Sequence, residues 1–426
     1  MNAVLSAAEG KGVGRMLRRG GDIGGRYGLT TGKMNTAMTR FAHLLSSFNC
    51  GATFPLTAAA LSRHRWDLDT YRALNIEFAV HGLWHIDHSR LALEQQLAQL
   101  DQARHLFAER GIARPGFRGP YLRWSDDTLA AIRQLGFAYD SSQSLAWPVV
   151  QERETATYRH VLRFYRARPA ADYPALPREE DGLLRLPYSL PDDEALVDRL
   201  ALPQVVMAEV WTAILAETHR RGELFVLGLH PERIAHCEMG LAATLRAARD
   251  LTPGVWIARL DEIATWWTTR AQTVITCTTG QEQTLRVRVS GPPGLTVLAR
   301  GVDVSTATET WDGMYRRVGA DDFEMTVERR PFIGVSARSS PRLISFLRQQ
   351  GYIVEWADDH LTHVIVLDAP EFAPEDERPL LSRIEEGAFP LVRLGRWPAG
   401  QRSALAITGD IDALTLLDYG LRLFGR

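Results

Sequence analysis

The sequence predicts an α/β fold, either a (β/α) barrel or a doubly wound parallel sheet. Residues 1–270 alternate helical and strand-like patterns. Met34 to Phe48 has the i, i+3, i+4 apolar spacing of a helix, and Gly51 to Leu56 follows it as an extended apolar run. Because such units repeat over roughly 250 residues, their total length matches that of a barrel domain.

The other units of this region have their own signals. Ser125, Asp126 and Asp127 carry the side chains that cap and begin a helix. The predicted strands are Ile76 to Val80, Gly182 to Tyr188 and Leu224 to Leu229, and the predicted helices are Leu91 to Arg110, Asp126 to Leu135 and Gln204 to Arg221.

The pattern changes after residue 270. Short β-rich runs separated by Gly-Gln and Gly-Pro-Pro-Gly turns predict a small antiparallel element over 271–330. Residues 331–400 return to α/β alternation, which predicts a second, compact α/β domain. The last part, residues 401–426, holds the apolar run Ala404 to Ile407 and one further helix.

The charge balance argues against several classes of function. Lys and Arg number 49 against 51 Asp and Glu, so the chain has no basic excess with which to bind nucleic acid. The only lysines are Lys11 and Lys33, both in a glycine-rich stretch. This argues against Schiff-base, pyridoxal phosphate and P-loop chemistry, each of which needs a positioned lysine.

The sequence also carries expectations about compartment. Met1 to Gly21 has no apolar core of a signal peptide, and no run approaches the roughly 18 apolar residues of a membrane span. Three cysteines, Cys50, Cys237 and Cys277, stand far apart without a C-x-x-C pair, which predicts buried free thiols. We therefore expect a cytoplasmic protein with no membrane span.

The densest group of chemically useful residues is His81-Gly-Leu-Trp-His85. It follows the predicted strand ending at Val80, at the end where α/β folds place their active sites. Two imidazoles four residues apart can face one zinc ion, which commonly takes a carboxylate as a third ligand. Gly82 stands where a helical metalloprotease needs glutamate, so that class is excluded. The alternative is a pair of ordinary core or surface histidines.

Two later motifs give this pair its context. Residues 116–121 read Gly-Phe-Arg-Gly-Pro-Tyr, with Arg118 and Tyr121, and residues 227–231 read Leu-Gly-Leu-His-Pro, with His230. The order H-x-x-x-H, R-x-P-Y and L-x-H resembles the polysaccharide deacetylase superfamily, the NodB-like esterases of carbohydrate esterase family 4. The resemblance implies a distorted (β/α) barrel of polysaccharide deacetylase type.

Weaker similarities extend the resemblance to roughly residues 30–270. Ala52-Thr-Phe is similar to the second strand of the family, and Gly182 to Tyr188 with Asp192-Asp193 is similar to its fourth motif. Gly228 departs from the pattern, because family members usually have a leucine there, lining the acetyl pocket.

The first motif of the family, an aspartate pair on the first strand, is missing before Arg40. Residues 404–412 instead end in Thr-Gly-Asp410-Ile-Asp412 and resemble the T-x-D-x-D variant of that motif. We therefore expect a circular permutation in which residues 401–426 return to the barrel, with Leu414 to Arg426 and Met1 to Thr31 supplying the connection. A domain-swapped homodimer would build the same site. The alternative is a turn after an edge strand.

The resemblance also implies roles for individual residues. His81, His85 and Asp412 would bind a divalent metal, most often zinc. Asp410 would be the general base, paired with Arg118. Of the remaining motif residues, His230 would be the general acid, the backbone N–H of Tyr121 would stabilise the oxyanion, and Asp193 would be an orienting acid beside Arg118. Taken alone, Arg118 could brace a loop, His230 could cap a strand and Tyr121 could belong to the core.

The function implied is metal-dependent removal of an N-acetyl or other N-acyl group from an amino sugar or polysaccharide. Two alternatives stay open: hydrolysis of a small non-sugar amide on the same fold, and a non-catalytic carbohydrate-binding or scaffold protein. Residues 271–400 lie outside the resemblance and carry no motif of their own.

Overall fold

The computed structural model describes residues 23–281, 283–357, 359, 361–422 and 424–425. Lys11 and most of the predicted connection from Met1 to Thr31 lie outside these residues. The helices are α1 (Gly32–Ser47), α2 (Ala58–His64), α3 (Asp69–Arg72), α4 (Leu93–Ala108), α5 (Asp126–Gln134), α6 (Ala156–Phe164), α7 (Gln204–Arg221), α8 (Ile234–Asp250), α9 (Leu260–Arg270), α10 (Pro341–Gln349), α11 (Glu377–Glu385) and α12 (Leu416–Arg422).

The strands divide between a large parallel sheet and several smaller sheets. They are β1 (Ala52–Leu56), β2 (Ile76–Val80), β3 (Ser144–Ala146), β4 (Arg168–Pro169), β5 (Arg178–Glu180), β6 (Leu183–Arg185), β7 (Tyr188–Leu190), β8 (Leu224–Leu229), β9 (Val255–Ile257), β10 (Val274–Thr279), β11 (Thr284–Ser290), β12 (Val297–Arg300), β13 (Thr308–Thr310), β14 (Arg316–Val318), β15 (Asp322–Thr326), β16 (Arg330–Val335), β17 (Val354–Trp356), β18 (His363–Leu367), β19 (Leu391–Leu394) and β20 (Ser403–Gly409).

The large sheet confirms the α/β class. Its order is β2-β1-β20-β8-β7-β3-β4, with β9 also pairing with β20. Strand β20, close to the C-terminal end of the chain, therefore lies in the interior of the sheet. Ala404 to Gly409 of β20 pair in parallel with Leu224 to Leu229 of β8, and Thr408 bridges to Thr53 of β1.

Single-residue bridges continue this sheet beyond β2. Parallel bridges join Val80 to Phe117, Phe117 to Asp140, and Asp140 to Arg185, the last residue of β6. Strand β7, which begins three residues after Arg185, lies on the opposite side of β20 from β2. The bridges therefore connect the β2 edge of the sheet with the region next to β7. The path between β2 and β6 is thus made of isolated bridges rather than of full strands.

The central strands form because their sequences are apolar on both faces. Every residue of β8 and of β20 is buried, as expected for parallel strands that are covered on both sides by helices or by the rest of the fold. One predicted strand differs: Gly182 to Tyr188 is divided into β6 and β7. Pro187 lies at the break, because proline has no N–H to donate to a strand ladder.

The part after α9 contains both sheet types. Strands β10, β11 and β15 are antiparallel, whereas β17, β16 and β18 are parallel. Strand β12 pairs with β19, so the segments predicted as 271–330 and 331–400 share one sheet. Cys50 and Cys237 are buried free thiols as expected, but Cys277 is half-buried. None of the helices in the described ranges is long and apolar enough to cross a membrane.

Removing a buried side chain from β20 should destabilise the protein strongly. Ile407 is fully buried, so Ile407→Ala is expected to lower the free energy of unfolding by about 2–5 kcal/mol, measured by urea denaturation. Leu417→Ala is the control, because Leu417 is 59% exposed and its loss should cost less than about 0.5 kcal/mol. Equal effects would contradict an interior position for β20.

Candidate metal centre and active site

Three predicted ligands from the two ends of the chain meet in the structure. Asp412 Oδ1 lies 3.4 Å from His81 Nε2 and 3.2 Å from His85 Nε2. The histidines follow β2 and Asp412 follows β20, which is separated from β2 in the sheet only by β1. The pairing of the strands therefore brings both imidazoles and the carboxylate to the same edge, as metal-ligand geometry requires.

The hydrogen bonding of this cluster suits a divalent cation. His81 Nδ1 donates to the carbonyl oxygen of Arg118 at 2.8 Å, which leaves the Nε2 lone pair facing Asp412. Asp412 Oδ1 is buried and has no hydrogen-bond partner among the described residues. Two imidazole nitrogens and an orphaned carboxylate oxygen are a common donor set for zinc, so these residues fit the metal that the resemblance implies.

A residue that the sequence did not point to lies in the same cluster. Arg422, the last residue of α12, places Nη1 2.9 Å from Asp412 Oδ2 and Nη2 3.0 Å from His85 Nδ1. Burial and the charge of Arg422 lower the pKa of His85 to about 4, so this imidazole is neutral at neutral pH. No short motif signals Arg422, because its contact with His85 spans 337 residues of sequence.

The contact with Arg422 has a consequence for metal binding. When His85 Nδ1 accepts a hydrogen bond from Arg422, the proton of the neutral ring is on Nε2, the nitrogen that faces Asp412. A metal ion at Nε2 needs that nitrogen deprotonated. The Arg422 guanidinium also forms an ion pair with Asp412 Oδ2. Arg422 and a divalent cation therefore compete for the same two side chains.

The predicted pair of Arg118 and Asp410 is present. Arg118 is fully buried and donates from Nη1 to Asp410 Oδ1 at 2.6 Å. It also donates to Thr408 Oγ1 at 2.9 Å, and to the carbonyl and hydroxyl oxygens of Ser141 at 3.1 and 3.0 Å. With its donors fixed on both sides, the guanidinium holds the Asp410 carboxylate in one orientation.

Asp193 has a different partner from the one predicted. Its Oδ1 lies 2.7 Å from His230 Nδ1, and its Oδ2 accepts from the backbone N–H of His230 at 2.7 Å. The expected pairing with Arg118 is therefore wrong, because Asp193 follows β7 and faces the end of the neighbouring β8. Burial alone would lower the pKa of His230, but the charge and hydrogen bond of Asp193 raise it well above its usual value.

Tyr121 lies at a strained turn beside the histidines. Tyr121 and Leu122 have φ values of 59° and 54°, in the left-handed region that non-glycine residues seldom adopt. The Tyr121 ring meets the His85 ring edge to face, with centroids 4.4 Å apart. The turn therefore packs Tyr121 directly against a predicted ligand rather than into the core.

The side chains described above surround one small cavity of about 50 Å³. Its lining includes all seven residues predicted for catalysis and metal binding except Arg118, which lies behind Asp410. Tyr188 and Asp192 also line it. A Cβ atom on Gly228 would lie 1.7 Å from the Tyr188 hydroxyl oxygen, so Tyr188 fills the space above Gly228. The tyrosine thus stands where the family pattern would place a leucine.

Part of the chain that contains several of the site residues matches a known protein family. Residues 27–139 match the family model described as polysaccharide deacetylase. The matched stretch contains His81, His85, Arg118 and Tyr121. The chain resembles the polysaccharide deacetylases. The predicted resemblance is thereby confirmed, while His230, Asp410 and Asp412 lie beyond the matched residues. A search of curated proteins finds no match.

Several solved structures are similar to part of the chain. A protein of Mycobacterium smegmatis assigned to the polysaccharide deacetylases is 21% identical, with 54% of this chain and 76% of that chain covered and a TM-score of 0.42. A protein of Pseudomonas aeruginosa PAO1 with the same assignment is 19% identical, with 54% and 72% covered and a TM-score of 0.43. Puue allantoinase gives the same values as the latter: 19%, 54%, 72% and 0.43.

Replacing Arg422 with a neutral residue should tighten metal binding. Arg422→Gln removes a positive charge about 3 Å from two ligands, so the affinity for Zn²⁺ is expected to rise at least about tenfold. Competition against a chromophoric chelator measures the affinity. Arg246→Gln, on the exposed face of α8, is the matched control and should have no effect. Weaker zinc binding by Arg422→Gln would mean that Arg422 organises the ligands instead.

Proposed function

We propose that the chain is a metal-dependent hydrolase that removes an N-acetyl or other N-acyl group from an amino sugar or polysaccharide. The observation that carries this proposal is the meeting of His81, His85 and Asp412 in one cavity with Asp410 and His230. Amide hydrolysis by an activated water needs three kinds of group. They are a set of metal ligands, here His81, His85 and Asp412, a second carboxylate, here Asp410, and a charged imidazole, here His230.

His81, His85 and Asp412 would hold the metal, with zinc as the proposed ion. When bound there, a divalent cation polarises the amide carbonyl and lowers the pKa of a nearby water. The chain's own residues do the rest. The Tyr121 backbone N–H, at the strained turn beside His85, would donate to the oxygen of the carbonyl as negative charge develops on it.

Asp410 would be the general base. It lines the cavity beside Asp412, and Arg118 fixes one of its oxygens at 2.6 Å. The other oxygen is then oriented to take a proton from the attacking water. Because Arg118 is held by Ser141 and Thr408, the base keeps its direction as charge moves in the site.

His230 would be the general acid. Asp193 binds its Nδ1–H, so the Nε2–H is the proton available to the leaving amine nitrogen. The raised pKa of His230 keeps the ring protonated at neutral pH, as the role requires. Loss of that proton to the amine completes the departure of the leaving group.

The order of motifs fits a circular permutation, which we also propose. Strand β20 carries the aspartates and lies between β1 and β8 of the same chain, so no exchange with a neighbour is needed to complete the sheet. A homodimer remains a separate prediction.

The cavity of about 50 Å³ suits a small acyl group, which keeps hydrolysis of a small non-sugar amide as a second candidate. Parallel assays on acetylated chitooligosaccharides, ureides and formamides distinguish the two candidates.

The metal content of purified protein tests the proposal. We expect about one zinc-like ion per chain in the wild type, and loss of that ion in His81→Ala and in Asp412→Ala, measured by elemental mass spectrometry. His105→Ala is the control, since His105 is exposed on α4. Loss only in His81→Ala would exclude Asp412 as a ligand. A wild type that binds no metal after reconstitution would favour the non-catalytic alternative.

Asp410→Asn should separate metal binding from turnover. The amide cannot accept the proton of the water, so kcat is expected to fall by about 10²-fold or more, while metal content is unchanged. Asp412→Asn is the comparison, because it should lower both. Unimpaired hydrolysis by Asp410→Asn would remove Asp410 as the base.

The pH dependence reports on His230. A general acid must be protonated, so activity falls as pH rises through its pKa. Asp193 raises that pKa, so Asp193→Asn should move the alkaline limb of the kcat/KM profile to lower pH. An NMR titration of the His230 ring gives an independent measurement of its pKa in the wild type and in Asp193→Asn. An unchanged profile would contradict the role of Asp193.

A further inference from the structure

A second and larger cavity lies at the opposite end of the parallel sheet. It encloses about 360 Å³ and is lined by Glu223, just before β8, and by Arg402, just before β20. The predicted active-site residues follow the other ends of these strands, about 20 Å away at 3.3 Å per residue. The remaining walls come from α11, from the turn between β13 and β14, and from the end of β19.

Arginine dominates the walls of this cavity. The six arginines that line it are Arg220, Arg221, Arg378, Arg393, Arg396 and Arg402. Most of them are neutralised locally. Arg220 and Arg221 are both paired with Glu217, and Arg220 also faces the charge of Glu386. Arg378 binds Glu223, and Arg402 binds Asp312 at 2.6 Å.

Arg393 and Arg396 are not neutralised in this way. Both are at least nine-tenths buried and share one carboxylate, Glu385, at 3.5 and 3.6 Å. That carboxylate already accepts hydrogen bonds from the hydroxyls of Tyr315 and Tyr352. Arg393 Nε, Arg396 Nε and Arg396 Nη2 have no hydrogen-bond partner among the described residues.

A third guanidinium increases the positive excess. Arg270 is buried beside these two arginines, donates to the carbonyl oxygens of Gln349 and Gly395, and lies over the ring of Trp267. Burial, followed by the charges of Arg396 and Arg393, lowers its pKa to about 9. Three guanidiniums against the one carboxylate of Glu385 leave at least two positive charges. Uncompensated buried charge is costly, so a dianion in the cavity would stabilise the fold.

We propose that this cavity binds a phosphate monoester, with the dianionic phosphate towards Arg393 and Arg396 and the organic part towards Trp311 and Met314. Arginine is the side chain best suited to phosphate because its planar fork donates two parallel hydrogen bonds. Trp311 and Met314 supply an apolar wall, and the volume lies within the range of small-molecule sites. This site does not depend on the proposed hydrolase function.

Calorimetry on the full chain tests the proposal with three probes: glucose 1-phosphate, inorganic phosphate and glucose, each at constant ionic strength set with chloride. We expect saturable binding of both phosphates, tighter for glucose 1-phosphate, and none for glucose. Both phosphates should also raise the melting temperature. Non-saturable heats, or equal effects of chloride, would overturn the proposal.

Two substitutions at Ser382 that differ in charge but not in size locate the site. Ser382 lines the cavity from the partly exposed side of α11, where a longer side chain is tolerated. Ser382→Glu supplies a competing carboxylate and should weaken phosphate binding at least about tenfold, whereas Ser382→Gln, of the same size, should weaken it less than about threefold. Equal losses in both variants, or no loss in either, would contradict a phosphate held by these arginines. Unchanged circular dichroism shows that each variant is folded.

Discussion

The parallel pairing of β20 with β8 and β1 is the contact on which both the core and the candidate site depend. It fills the interior of the large sheet with a strand that is buried along its whole length. The same pairing sets where Asp410 and Asp412 emerge, beside the ends of β1 and β8 and one strand away from the end of β2. A parallel ladder fixes register residue by residue, so the positions of the carboxylates relative to the histidines follow from backbone hydrogen bonds rather than from flexible side chains.

Charge balance is the second constraint on the site. Three carboxylates of the site are each matched with a cation from a different part of the chain: Asp410 with Arg118, Asp193 with His230, and Asp412 with Arg422. Such matching offsets the cost of removing charges from water. The third pair differs from the other two because its cation also contacts His85. A divalent cation held by Asp412 and His85 would therefore share both side chains with the Arg422 guanidinium.

The sequence predicts the local features and the distant contacts that a family motif marks, but not the distant contacts that no motif marks. Apolar periodicity located β8 and α7 to the residue, and the order of short motifs was enough to assign His81, His85, Arg118 and His230 to one site. Arg422 could not be found in this way, because nothing near it in sequence marks a contact with His85. The partner of Asp193 was also wrong, since adjacency of β7 and β8 is a property of the sheet order. The pairing of β12 with β19 has the same origin in long-range topology.

The strand order also sets how late in synthesis the large sheet can be completed. Roughly 170 residues separate the end of β8 from the start of β20, so the ribosome needs about 10 to 35 s to deliver the strand that joins β8 to β1. During that interval, two apolar parallel strands present unpaired edges, which are templates for wrong pairing with other chains. The emerging polypeptide is thus most prone to aggregate while residues 271–400 are being made, and protection by a chaperone is most valuable in that window.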